Sequence, residues 1–249
     1  MANELYNMNI VNNKIALITG ASKNLGRAIA IDLAKQGAKV AIHYHSSEKE
    51  AKETLKEVKK YSQGIIVEGD ITNKREVSSI VRTIGTKLGN TDILINLVGN
   101  FIYEPITTTN FAKFRDVIES NLYSTFLCCK EALPSMKKKK WGRIINFGSV
   151  GAESLTIREK TTPYYIAKTG VIMLTKVLAY EYAKYGITIN SISPGILETS
   201  ITKPPTPSGK FAQFGDITNA INFLLKEESS YINGANIEVA GGWRPGFST

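Results

Sequence analysis

Lys14-Ile15-Ala16-Leu17-Ile18-Thr19-Gly20-Ala21-Ser22-Lys23-Asn24-Leu25-Gly26-Arg27 is a short apolar run that passes straight into a glycine-bearing turn and then into an amphipathic stretch. The run from Lys14 to Thr19 reads as a strand and Leu25 to Gln36 as a helix stopped by Gly37. A glycine turn between a first strand and a helix lets the backbone approach a pyrophosphate at the positive end of the helix. Glycines also punctuate ordinary strand–helix loops, so the turn alone is weak evidence; its place after the first strand strengthens it.

The same alternation continues outward. Strands are expected at Lys39–Tyr44, Ile65–Glu68, Asp92–Leu97, Arg143–Phe147, Ile187–Ile192 and Asn236–Val239. Between them lie helices at Glu48–Tyr61, Lys74–Leu88, Phe111–Met136, Pro163–Tyr185 and Ile217–Leu225, the third of them one long helix. Continuous apolar strands separated by helices are what a parallel sheet covered on both faces requires. The expected fold is therefore α/β: a single-domain, doubly wound Rossmann fold with a parallel seven-stranded sheet. One domain spans 1–249, with an N-terminal extension at 1–13 and a stiff, proline-rich segment at 200–215.

Composition narrows the classes. The chain has 249 residues, 43% hydrophobic and 21% charged, which is globular usage and excludes a disordered or collagen-like protein. Cys128 and Cys129 are adjacent, so they read as buried thiols in a reducing compartment rather than as a disulfide. No apolar run approaches the ~18 residues that span a bilayer, and residues 1–13 have no signal-peptide core, so a cytoplasmic protein without membrane contact is expected. The net charge of +9 includes the run Lys137-Lys138-Lys139-Lys140, which reads as a solvated helix end complementing the macrodipole. Neither zinc-ligand spacing nor an aromatic–basic ladder occurs, so neither a metal nor nucleic acid is expected.

Tyr164 and Lys168 stand at i and i+4 at the opening of a long helix, on one helix face. Ser149 lies just past the preceding strand. All three fall at the carboxyl ends of strands, where doubly wound sheets bind ligands.

These residues together resemble the short-chain dehydrogenase/reductase family. Thr19-Gly20-x-x-x-Asn24-x-Gly26 is similar to that family's TGxxxGxG, with Asn24 in place of the middle glycine. Asn is the non-glycine residue that best tolerates a left-handed backbone. Asp70, Asn96-Leu97-Val98-Gly99 (at NNAG), Asn121 and Pro194-Gly195 with Thr199 continue the match in order from Lys14 to Gly242.

The resemblance implies a catalytic set of Asn121, Ser149, Tyr164 and Lys168, with Tyr164 as general acid for a carbonyl reduced by hydride. A phenol has a pKa of ~10, so work near neutral pH asks for about 4 kcal/mol of phenolate stabilisation, for which Lys168 is the natural source. It also implies nucleotide contacts at Gly20, Ser22, Lys23, Asn24, Leu25, Gly26, His43, Tyr44, His45, Ser46, Asp70, Ile71, Asn96, Gly99, Tyr164, Lys168, Pro194, Gly195, Ile196 and Thr199. Because the second strand ends in His43-Tyr44-His45-Ser46-Ser47 without a carboxylate, and Lys23 adds a cation, NADP(H) is the expected cofactor.

Substrate contacts are expected from Phe101, Tyr103, Gly151, Leu155 and Phe211, with 200–215 as a short lid and the loop 153–162, including Arg158, on the rim. Gly142-Arg143-Ile144-Ile145-Asn146 looks most like 3-oxoacyl-[acyl-carrier-protein] reductases, implying a small-molecule or carrier-bound carbonyl substrate and a homotetramer. Lys140 falls at a carrier-binding basic position of those enzymes, whereas Tyr185 stands at a second that is often Arg. Two alternatives remain open. The His-Tyr-His ending resembles pteridine reductases, which usually carry Asp at the position of Ser149. The altered glycine motifs also admit a non-catalytic NADP-binding sensor.

Overall fold

The computed structural model describes residues 11–156 and 159–246; the extension before residue 11, and Arg158 of the expected rim, lie outside them. Seven strands, β1 (Ile15–Ile18), β2 (Lys39–Tyr44), β3 (Gly64–Glu68), β4 (Ile93–Asn96), β5 (Gly142–Phe147), β6 (Ile187–Pro194) and β7 (Asn236–Val239), form one sheet in the order β3-β2-β1-β4-β5-β6-β7. Every pairing is parallel. Parallel neighbours need crossovers, which α1 (Asn24–Lys35), α2 (Glu48–Val58), α3 (Lys74–Lys87), α4 (Phe111–Ile118), α5 (Ser124–Lys139), α6 (Thr162–Tyr182) and α7 (Phe214–Leu225) supply. This is the expected single-domain α/β fold.

The period-2 side-chain alternation divides each strand between two cores. Ala16 and Ile18 of β1, with Ile93 and Ile95 of β4, pack on Ile29 and Leu33 of α1 and Ile221 and Leu224 of α7. Ile15 and Leu17, with Leu94 of β4, pack instead on Ile80 and Ile84 of α3 and on Leu133 and Met136 of α5. Each fully buried Ile or Leu contributes roughly 1.5–3 kcal/mol, so both faces commit the strands to one register. Cys128 and Cys129 are free and buried in the second core, and burial pushes the Cys129 thiol up to about 12.

Several boundaries depart from the sequence reading, α2 stopping at Val58 and α5 running on to Lys139 among them, and three have a visible cause. The expected single helix from Phe111 to Met136 is interrupted by a π-helical turn at Glu119–Tyr123. There the Asn121 Nδ2 donates to the carbonyls of Val117 and Asn100, both at 2.9 Å, so a side chain competes for helix acceptors. α7 begins at Phe214, before its first buried residue, because Gln213 and Asp216 form a reciprocal capping box. α6 stops at Tyr182 and tightens into a 3-10 turn through Tyr185 before Gly186 at φ +69°.

Candidate active site

β1 has β2 on one side and β4 on the other, so the chain leaves the sheet in opposite directions there, and a crevice opens at the carboxyl edge. A cleft of about 320 Å³ occupies it, lined by Ser149 beyond β5, by Tyr164 and Lys168 from the first two turns of α6, and by Pro194 at the end of β6 with Gly195 and Ile196 just beyond it. Pro163 in the first turn of α6 suits a position with no intrahelical donor to lose. Lys168 is buried and its Nζ donates to the Phe147 carbonyl at 2.8 Å, which aims the ammonium along the edge of β5. Its Nζ lies 5.5 Å from the Tyr164 ring centre, and burial lowers its pKa to about 8. The Tyr164 ring stands edge-on to Phe101 at 5.0 Å. Tyr165, one residue out of phase, points elsewhere and donates to the Val150 carbonyl at 3.0 Å, pinning the loop that carries Ser149.

Asn121 is fully buried in the π-helical turn and its Oδ1 has no hydrogen-bond partner among the described residues. A Cβ on Gly99 would lie 2.0 Å from that oxygen, so glycine is required there and the two residues are fitted to each other. Asn96 lies beneath the site: its Nδ2 donates to Asn146 Oδ1 at 2.9 Å, and Asn146 donates to Thr175 Oγ1 at 2.9 Å. That chain ties β4, β5 and α6 together under the cleft.

The glycine turn is held from three sides. Thr19 Oγ1 accepts from the Leu97 amide at 2.9 Å, Thr54 of α2 donates to the Ser22 carbonyl at 2.8 Å, and His43 Nδ1 accepts from the Gly20 amide at 3.1 Å. Gly20 takes φ +66°, and a Cβ on Gly26 would come within 2.3 Å of the Gly20 carbonyl oxygen. Asn24 adopts φ +50°, the left-handed conformation its residue type tolerates. Lys23 and Asn24 are exposed while Leu25 and Gly26 are buried, and the N-cap residue of α1, Lys23, makes no capping hydrogen bond with its side chain. Beyond β2, His45 and Ser46 are exposed, whereas the buried Tyr44 donates to Glu68 at 3.3 Å. Burial works against the Asp70 carboxylate, but bonds from the Thr72 amide and hydroxyl, both 2.8 Å, outweigh it and hold its pKa below the usual range. Ile71 beside it is buried.

The family model described as Enoyl-(Acyl carrier protein) reductase matches residues 20–244. The chain belongs to the short-chain dehydrogenase/reductase family. This dehydrogenase/reductase is 33% identical over 242 residues to the 3-oxoacyl-[acyl-carrier-protein] reductase FabG of Staphylococcus aureus, covering 92% of the chain and 97% of that relative. It is 35% identical over 240 residues to FabG of Vibrio cholerae, covering 92% and 96%. A crystal structure assigned as a gluconate dehydrogenase from Agrobacterium tumefaciens superposes with a TM-score of 0.88 at 31% identity, over 94% of this chain and 97% of that one. Family membership makes the chain an oxidoreductase.

Not every sequence-expected residue of this dehydrogenase/reductase faces the cleft. Leu25, Gly99, Phe101, Thr199 and the strand-end residues line it; Tyr103, Gly151, Leu155 and Phe211 do not. Leu155 is 72% exposed and points to solvent. Phe211 packs instead against the small core of Val150, Ile196 and Trp243. Gly151 donates its amide to Glu238 of β7, which also pairs with Arg244 at 3.2 Å. Trp243 was not among the expected residues, yet it is buried and forms part of the cleft wall. Its signal in the sequence was a large aromatic directly after Gly241-Gly242, two glycines with φ of +57° and +81° that swing the chain back over the site. The proline-rich stretch is clipped at its base, where Ala212 donates to the Ile196 carbonyl at 2.9 Å. Thr206 and Ser208 both donate to the Lys210 carbonyl and tie its tip to itself.

Proposed function

We propose that the chain is an NADPH-dependent reductase of a carbonyl substrate, with a 3-oxoacyl thioester as the favoured class and Tyr164 as general acid. The observation that carries this reading is the convergence of Ser149, Tyr164 and the buried Lys168 on one cleft. The residues present fit a dinucleotide: a turn whose glycines leave no room for a Cβ, an α1 N-terminus without a capping bond from the Lys23 side chain, and Lys23, His45 and Ser46 exposed around it, able to meet a 2′-phosphate. When bound, NADPH supplies the hydride. Asp70, Gly99 and the Pro194–Thr199 segment would hold its remaining parts.

The chain's own part is proton chemistry. Ser149 donates a hydrogen bond to the carbonyl oxygen and fixes it beside the Tyr164 hydroxyl. Tyr164 gives that oxygen its proton as negative charge develops there. The Lys168 cation, held against the Phe147 carbonyl, stabilises the phenolate left behind. Asn121 sits one shell further out and keeps the floor of the site in place through Asn100 and Gly99. Residues 200–215 serve as a short lid, and Ile201, which lines the cleft and is 87% exposed, offers an apolar edge to an acyl chain.

The reading is tested by NADPH and NADH oxidation with acetoacetyl-CoA, crotonyl-CoA and dihydrobiopterin side by side, for the wild type and Tyr164→Phe. NADPH-dependent turnover of the oxoacyl thioester, reduced by at least about a hundredfold in Tyr164→Phe, is the expected outcome. Turnover of the enoyl thioester alone would replace the substrate class. Turnover of the pterin alone would favour the second reading, which the His-Tyr-His ending of β2 supports. Tight NADPH binding with no turnover would favour a sensor.

A further inference from the structure

His43, expected as a nucleotide contact, stands next to the end of β2 and is 1% exposed, so its ring reaches neither solvent nor the cleft. Both ring nitrogens are nonetheless committed. Gly20 N–H can only donate, so Nδ1, 3.1 Å away, must be bare. The Gly69 carbonyl can only accept, so Nε2, 2.9 Å away, must carry the proton. The partners therefore fix one neutral tautomer. The backbone of the same residue takes the next amide of the turn, Ala21 N–H donating to the His43 carbonyl at 2.9 Å. Gly20, at φ +66°, has no side chain to restrict it, so this acceptor is what sets the direction of its peptide. On its far side the ring holds the Gly69 carbonyl, immediately before Asp70. One imidazole thus joins the carboxyl ends of β1, β2 and β3.

We propose that His43 is a positioning residue for the nucleotide: it acts without touching the ligand, as a strut that holds the Gly20–Lys23 turn and the Asp70 loop in a single arrangement. This rests on the nicotinamide reading above. The strut uses up the first two amides of the turn and leaves those of Ser22 to Gly26 without a partner among the described residues, able to point at an anion; the next, Arg27, bonds the Lys23 carbonyl. Protonation would place an N–H against the Gly20 N–H and break the strut. Burial opposes that protonation, and His45, from the end of the same strand, opposes it further; the Gly69 bond and Asp70, beyond it, favour it.

Two substitutions separate the halves of the strut. Asn at 43 places an amide oxygen near the Nδ1 position, and Gln places an amide nitrogen near the Nε2 position. Titration of the full chain with NADPH, NADH and ADP-ribose is read beside exchange protection of the Gly20 amide and thermal unfolding. His43→Asn is expected to keep Gly20 protected and all three dissociation constants within about threefold of wild type, whereas His43→Gln loses the protection and weakens all three by about tenfold, the usual size of one hydrogen bond. Equal affinity in the wild type and His43→Gln overturns the proposal, as does an equal loss in both variants that follows a fall in their melting temperatures. If neither variant folds, the wild-type Gly20 amide decides, and exchange as fast as that of an unprotected amide overturns the proposal. A wild type that binds none of the three ligands overturns the nicotinamide reading and this proposal's ligand together, and is told apart from failure of the strut by the Gly20 protection of the two variants.

Discussion

Lys168 has been placed where its charge is expensive. Its pKa falls from an ordinary 10.5 to about 8 through burial, a shift equivalent to roughly 3 kcal/mol. The folded-state pKa lies below the unfolded one, so the associated stability is fully present above 10.5 and is lost as pH falls through about 8. Lys168→Met should therefore unfold at higher urea concentration than wild type at pH 7, by about 1–3 kcal/mol, while losing turnover. Urea titrations at pH 7 and pH 10 check this: the advantage of the variant must shrink at the higher pH. The Tyr164/Lys168 pair was legible in the sequence because i and i+4 spacing on a helix dictates a shared face. The role of His43 was not, since its partners Gly20 and Gly69 belong to two other strand ends and no local pattern announces a ring caught between them.

Among the elements, the glycine turn and the interrupted helix show two kinds of constraint. In the turn, a methyl group added to Gly26 would meet backbone rather than a yielding side chain, 2.3 Å from the Gly20 carbonyl oxygen and 2.8 Å from Ala21 Cα. Gly26→Ala is thus expected to cost about 2–4 kcal/mol in denaturant unfolding and to weaken nucleotide binding, whereas Asn24→Gly, which keeps the left-handed backbone, leaves stability within about 1 kcal/mol. The strands and most helices could be read because apolar runs, glycine stops and amphipathic periods are local signals. The π-helical turn could not be read from periodicity: Phe111 to Met136 keeps a helical pattern throughout, and the break comes from Asn121 reaching the Asn100 carbonyl, 21 positions earlier in the chain. The α7 start was missed for the opposite reason, because a cap precedes the first buried position.

On the scale of the whole molecule, the sheet is covered on both faces, yet one surface stays apolar. Ile166, Met173, Val177 and Tyr180 follow the spacing of a single face of α6 and are 50%, 60%, 45% and 89% exposed, with Tyr123 of the π-helical turn and Phe126 of α5 also exposed. Leu127 and Leu174, equally apolar in sequence, are partly buried, a division that helical periodicity alone left open. A stripe of this size in water fits the homotetramer that the resemblance implies, with α6 as a contact face. Met173→Glu with Val177→Glu should shift the native mass measured by light scattering to a smaller species without altering the far-ultraviolet circular dichroism. The chain returns after β7 to wall the cleft, and Arg244 holds Glu238, which in turn holds the Gly151 amide beside Ser149. An affinity handle or fusion partner attached behind that stretch would tug on the mouth of the site.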